Sequence, residues 1–276
     1  PKAVLGKLYQ FRIGHRFTVD LPMRAADIYS PGGSGTPWPA VTPGNEELGW
    51  HTVLVSGLRK GGYYYFAIDI TDEDDPQPMW EFTDANLGQT WSTPSFGRIK
   101  VNGVNKYVVF FGGGYSTTEN KGNRVYILDV ATGSILKEFV VGSADNNVPS
   151  ELLVVRNDIH GSSIYGNIEA VYFGDTNGTL WKISSLNADS GWNPTLEALF
   201  EPTNPRPIYH KPDIQIRKRC NRRFIVFGTG DEQNPTDSDS QDYFYEVEDR
   251  PLTGEETSLD RLMWKETFPQ GEKMLS

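Results

Sequence analysis

Apolar and polar positions alternate along this chain in short blocks broken by glycine and aspartate. The clearest block is AVYFGDTNGTLWKI, residues 170–183. A hydrophobic run ends at Gly174, a turn is spelled by Asp175-Thr176-Asn177-Gly178, and a second run carries Trp181. Two short apolar runs around such a turn predict a β-hairpin. The pattern occurs three more times, in HTVLVSGLRKGGYYYFAIDI (51–70), KYVVFFGGGYSTTENKGNRVYILDV (106–130) and RFIVFGTGDEQNPTDSDSQDYFYEVED (223–249). The run-ending glycines, Gly57, Gly112, Gly174 and Gly228, lie 55, 62 and 54 residues apart. A recurring spacing of that size marks a repeat architecture.

Each hairpin has flanks of matching type. A further short strand follows it in PMWEFTD (78–84), SILKEFVV (134–141), TLEALFEP (195–202) and LMWKETF (262–268). Another precedes it in LPMRAADIY (21–29), TPSFGRI (93–99), VPSELLVV (148–155) and KPDIQIR (211–217). Four antiparallel strands per repeat make the blade of a β-propeller. Blades bury their faces only against neighbouring blades, so the fold needs the set. The prediction is therefore all-β: a single propeller domain over 1–276 with blades at about 21–84, 93–141, 148–202 and 211–268. The leading PKAVLGKLYQF and trailing GEKMLS read as pieces of adjoining blades, and the chain starts at Pro1 rather than Met. The expectation is an incomplete ring from a longer or processed product, completed by another chain or fragment.

Composition agrees. Aromatic residues make up 12%, and the 28 glycines and 18 prolines are spread along the chain. Plentiful aromatics argue against disorder. The net charge of −10 excludes a general phosphate-binding surface. The one basic cluster, Arg217-Lys218-Arg219 with Arg222-Arg223, reads as a charged hairpin turn. A single cysteine, Cys220, allows no internal disulfide. No run of 18 apolar residues is present, so no helical membrane span is predicted.

The stretch 50–99 resembles the propeller domain of the PilC/PilY family of type IV pilus tip proteins. It contains Trp50 to Gly57 (WHTVLVSG), Gly61-Gly62, Ala67 to Asp72 (AIDITD), Trp80 to Asp84 (WEFTD), and Leu87 to Pro94 (LGQTWSTP). VYILDVATGSIL (125–136), VYFGDTNGTLWKI (171–183), VFGTG (226–230) and GEKMLS (271–276) extend the resemblance over nearly the whole chain. HRFTVDLPMRAADIY (15–29) is similar to the segment before the first hairpin. The resemblance implies an extracellular protein, exported through the periplasm to the cell surface and pilus tip. It also implies roles in pilus assembly, in control of retraction and in adhesion to surfaces or host cells, with minor pilins as partners.

It further implies a calcium loop ahead of the third hairpin, in VRNDIHGSSIYGNIEAVYFGD (155–175). Closely spaced side-chain oxygens suit a hard cation such as Ca²⁺. Asn157, Asp158, Asn167 and Glu169 are the candidate ligands, with Glu169 where the family's last aspartate falls. The family's regular alternation of acids is absent, and residues are inserted around His160 to Tyr165. A solvated polar loop is the alternative.

Other candidates read as structure. TDEDDPQ (71–77) is a surface turn, and TDSDSQD (236–242) lies in a long loop whose acids have a looser ligand rhythm. Gly112-Gly113-Gly114 lacks the Lys-Ser/Thr of a phosphate cradle. His51 is a satisfied strand histidine. Trp80, Trp91, Trp181 and Trp264 sit at comparable blade positions and suit inter-blade packing. No Ser-His-Asp or paired-carboxylate arrangement is assignable, and the family resemblance implies a non-enzymatic pilus tip protein as the leading reading. A quinoprotein-like dehydrogenase propeller and a generic cell-envelope scaffold are the alternatives.

Overall fold

The computed structural model describes residues 17–31, 48–217, 222–237 and 239–272. The ends read as adjoining blades (all but Gly271 and Glu272), the core of the basic cluster and Cys220 lie outside them. Sixteen strands form four sheets of four, each a simple antiparallel meander. The first sheet holds β1 (Arg24–Pro31), β2 (Leu48–Gly57), β3 (Tyr65–Asp69) and β4 (Gln77–Phe82). The second holds β5 (Ser95–Val101), β6 (Val104–Gly112), β7 (Arg124–Asp129) and β8 (Ile135–Val140). The third holds β9 (Leu153–Arg156), β10 (Ile168–Gly174), β11 (Leu180–Ser184) and β12 (Thr195–Phe200). The fourth holds β13 (Asp213–Arg217), β14 (Arg222–Gly228), β15 (Tyr243–Asp249) and β16 (Leu262–Thr267). Four antiparallel four-stranded sheets are the blades of the predicted all-β propeller class.

The core lies between sheets. Val53, Val55, Tyr65 and Phe82 of the first sheet pack on Val109, Phe111, Tyr126 and Leu128 of the second. Phe111 stacks on Tyr65 with ring centroids 3.9 Å apart. The opposite face of the second sheet, with Val108, Phe110 and Ile127, meets Ile168, Val171 and Phe173 of the third. Ala170, Tyr172 and Leu180 then meet Ile225, Tyr245 and Val247 of the fourth. Central strands buried on both faces explain the near-continuous apolar runs of β6 and β10.

The recurring glycines have a steric cause. A Cβ on Gly112 would lie 2.2 Å from the Val148 carbonyl oxygen, and one on Gly174 would lie 2.2 Å from Ile208 Cγ2. In both cases the obstacle is the segment leading into the next sheet, so the glycine marks where the chain crosses between blades. Ser92 and Ser150 occupy matching places at these crossings. Ser92 Oγ accepts from the Gly112 amide at 2.8 Å and donates to the Ser150 carbonyl at 2.7 Å. The triple glycine is also a crossing rather than a simple turn, because Gly88 donates to Gly113 and Gly114 donates to Val148.

The expected equivalence of the tryptophans holds only for Trp80 and Trp264, both on outermost strands. Trp181 lies on the third strand of its sheet, and Trp91 lies in the link between β4 and β5. The four do not share one position because Trp181 comes one strand after its run-ending glycine, Trp80 and Trp264 come two strands after theirs, and Trp91 lies beyond the fourth strand.

Candidate functional site

Two regions concentrate polar side chains: the loop between β9 and β10, and the inner side of the arc where the links between sheets converge.

The loop is a closed structure. The Asn157 amide donates to the Asn167 carbonyl, and the Gly166 amide donates to the Asn157 carbonyl, both at 2.8 Å. The β9–β10 register shifts between Ile168 and Ala170. Glu169 is therefore the extra residue of a β-bulge, a device that re-aims a side chain. Glu169 accepts from Asn157 Nδ2 at 3.0 Å on one oxygen and from the Arg223 guanidinium on the other. Asn167 Oδ1 accepts from Arg98 Nε at 2.6 Å, and its Nδ2 donates to Asn105 Oδ1 and Asn187 Oδ1. Three of the four sequence-predicted ligands thus come together. The fourth, Asp158, is exposed at the surface.

These residues do not fit a calcium ion. Calcium takes six to eight oxygens, with carboxylates supplying the charge. The gathered residues offer a single carboxylate, already bound on both oxygens, and guanidinium groups hold the acceptors a cation would use. Among the described residues, no three His, Cys, Asp or Glu side chains are placed to hold a metal. Asp242, in the long loop of the fourth sheet, is instead buried and bonded to Thr229 and Arg206.

The inner side brings together residues from all four repeats. Arg59 lies 4.2 Å over the Trp91 ring and pairs with Glu232 at 3.0 Å. Glu151 accepts from Arg24 and from Lys211, each at 2.9 Å. A cavity of about 340 Å³ opens nearby, lined by Tyr115, Glu119, Asp145, Asn147, Tyr209 and Asp231. Burial, with Asp231 adding to it, pushes the Tyr209 and Tyr115 hydroxyls up, so both are neutral donors at physiological pH. Sequence reading missed this cluster because its members lie singly in hairpin loops, links and one edge strand of different repeats. The one available signal was the -WSTP- segment around Trp91.

Asp69 and Asp175 are buried carboxylates with structural partners. His51 Nδ1 is 2.9 Å from Asp69 Oδ2, a buried pair within the first sheet. Asp175, in the hairpin turn of the third, accepts from Trp181 Nε1 at 2.6 Å, Asn146 Nδ2 at 2.7 Å and the Thr179 amide at 2.9 Å. Burial raises its pKa against the pull of those donors.

No helix among the described residues is long and apolar enough to cross a membrane. The family model of the PilY1 β-propeller domain matches residues 32–262. A type IV pilus biogenesis factor PilY1 homolog of Xylella fastidiosa is 28% identical over 247 residues, covering 88% of this chain and 18% of that protein. The type IV pilus biogenesis factor PilY1 of Pseudomonas aeruginosa PAO1 is 27% identical over 262 residues, covering 83% of this chain and 21% of that protein. The chain therefore spans about a fifth of the length of these relatives. The crystal structure of the Pseudomonas aeruginosa PilY1 C-terminal domain shares the fold, with a TM-score of 0.66 and 22% identity over 90% of this chain and 52% of that one. With a match that takes in most of the length and strands from all four sheets, the chain belongs to the PilY1 β-propeller family.

Proposed function

We propose that this chain is a non-enzymatic propeller of a type IV pilus tip protein. In that role it supports pilus assembly and retraction control at the cell surface, partners minor pilins and contributes to adhesion to a surface or host ligand. The observation that carries the reading is the family match over 32–262, together with relatives described as type IV pilus biogenesis factors. The chemistry is consistent with a scaffold, since the polar groups of the inner cluster are largely spent on pairing between repeats.

The propeller reading extends to ring closure. The first sheet turns Tyr29 and Trp50 away from the second, and the fourth turns Phe244 and Trp264 away from the third. Further blades, from elsewhere in the same polypeptide or from another chain, would cover these two faces and make one domain of the set.

Mass spectrometry of pili sheared from intact cells tests the proposal. The expected result is this chain together with minor pilins and with sequence supplying the remaining blades. Its recovery only from the periplasm, absent from sheared pili, would overturn the tip role.

A further inference from the structure

We propose that the β9–β10 loop is held by two arginines in place of a bound cation, so that this propeller is set without calcium. Arg98 reaches the loop from β5 of the second sheet. It donates through Nε to Asn167 Oδ1 at 2.6 Å and through a terminal nitrogen to the Tyr165 carbonyl at 2.9 Å. Arg223 reaches it from β14 of the fourth sheet and binds Glu169. The loop of the third sheet is thereby clamped from both neighbours by permanently charged forks. Each fork takes up oxygens that a divalent ion would otherwise order: a side-chain amide, a backbone carbonyl and the bulge carboxylate.

The rest of the loop fits this arrangement. Both Glu169 oxygens are satisfied, since Asn157 Nδ2 holds the second at 3.0 Å. A Cβ on Gly166, whose φ is +77°, would meet the Arg98 terminal nitrogen at 3.3 Å. That left-handed position carries no side chain beside the guanidinium. The His160 and Tyr165 rings stack at 4.7 Å across the inserted residues. A calcium loop is ordered by filling it with an ion; this loop is ordered by parts supplied from the adjoining sheets. The clamp is a property of the fold and stands whether or not the chain travels with pili.

The test is calcium titration of the purified protein carrying this chain, after EGTA treatment, read by thermal unfolding and calorimetry. Wild type is expected to unfold at the same Tm in EGTA and in millimolar calcium, with no heat of binding that depends on Glu169. Arg98→Ala is expected to lower Tm equally in both conditions. Losing its charge-assisted bonds should speed amide exchange at Gly166 and Asn167 about tenfold or more. Arg98→Lys should not restore protection, because an ammonium does not span both acceptors as the fork does. A wild-type Tm that rises with calcium, together with one ion bound per chain and lost in Glu169→Gln, would overturn the proposal. That wild-type comparison decides the matter even where an arginine variant fails to fold.

Discussion

The faces between the first and second sheets and the faces at the two ends of the arc are built from the same kinds of residue and end in different states. Phe111, Tyr65, Phe82 and Tyr126 are stacked and buried at the inner interface. Trp50 and Tyr29, an equally aromatic pair on the outward face of the first sheet, are 63% and 41% exposed. The repeat decides which side chains a face carries, and the neighbour decides whether they are buried. The two end faces also differ from each other. On the fourth sheet Arg217 and Arg222 lie over the Phe224 ring, while Arg222 pairs with Glu248 and Trp264 donates to Glu246. On that face Phe224 is buried beneath charged side chains, while Trp264 is 41% exposed. On the first sheet the Thr52–Asp27 bond lies beside the exposed rings.

The largest effect expected from testing this contrast is at the inner interface. Phe111→Ala should cost about 3–5 kcal/mol in urea unfolding, since it removes a ring packed on three others. An effect no larger than that of an end-face residue would break the comparison. Asp175→Ala comes next, at about 2–3 kcal/mol, because it strands buried donors from Trp181, Asn146 and Thr179. Gly112→Ala should cost about 1–3 kcal/mol by pushing a methyl into the Val148 carbonyl. An unchanged urea midpoint there would mean that the crossing has slack. Trp50→Ala should move stability by less than about 0.5 kcal/mol in this chain measured alone. A larger loss in a protein with further blades would show that this face is covered there.

The smallest effect is electrostatic. The bonds from Arg250, with help from Thr253, hold the Glu256 carboxyl at about 2, down from an ordinary 4.5. A carboxyl with a lowered pKa in the folded state stabilises above its unfolded value and loses that contribution as pH falls through the folded one. Wild type and Glu256→Gln should therefore differ slightly in urea midpoint at pH 7 and converge near pH 2. A constant difference across that range would assign the effect to packing.

Much of the fold was legible because each blade is local. Hairpin turns such as Asp175-Thr176-Asn177-Gly178 and alternating runs act within a few residues, and the glycine spacing reports a steric requirement that recurs at every crossing. The loop was only half legible. Asn157, Asn167 and Glu169 do assemble, but Arg98 and Arg223 lie 69 and 54 residues from their partners and belong to other repeats. The inner cluster showed only in the -WSTP- segment around Trp91, since Arg59 meets Glu232 across 173 residues. Periodicity reports what each repeat does with its own face and is silent about which singular residues from different repeats meet.

That long-range pair has a kinetic consequence. Each sheet is a meander of consecutive strands and can zip up by short loop closures as its own segment becomes available. The Arg59–Glu232 bridge joins the first sheet to the fourth and forms only after the last hairpin has arrived. Folding would then run as a succession of local steps, ending in a latch between the first sheet made and the last. A chain interrupted before Glu232 would keep its early sheets but leave Arg59 without that carboxylate.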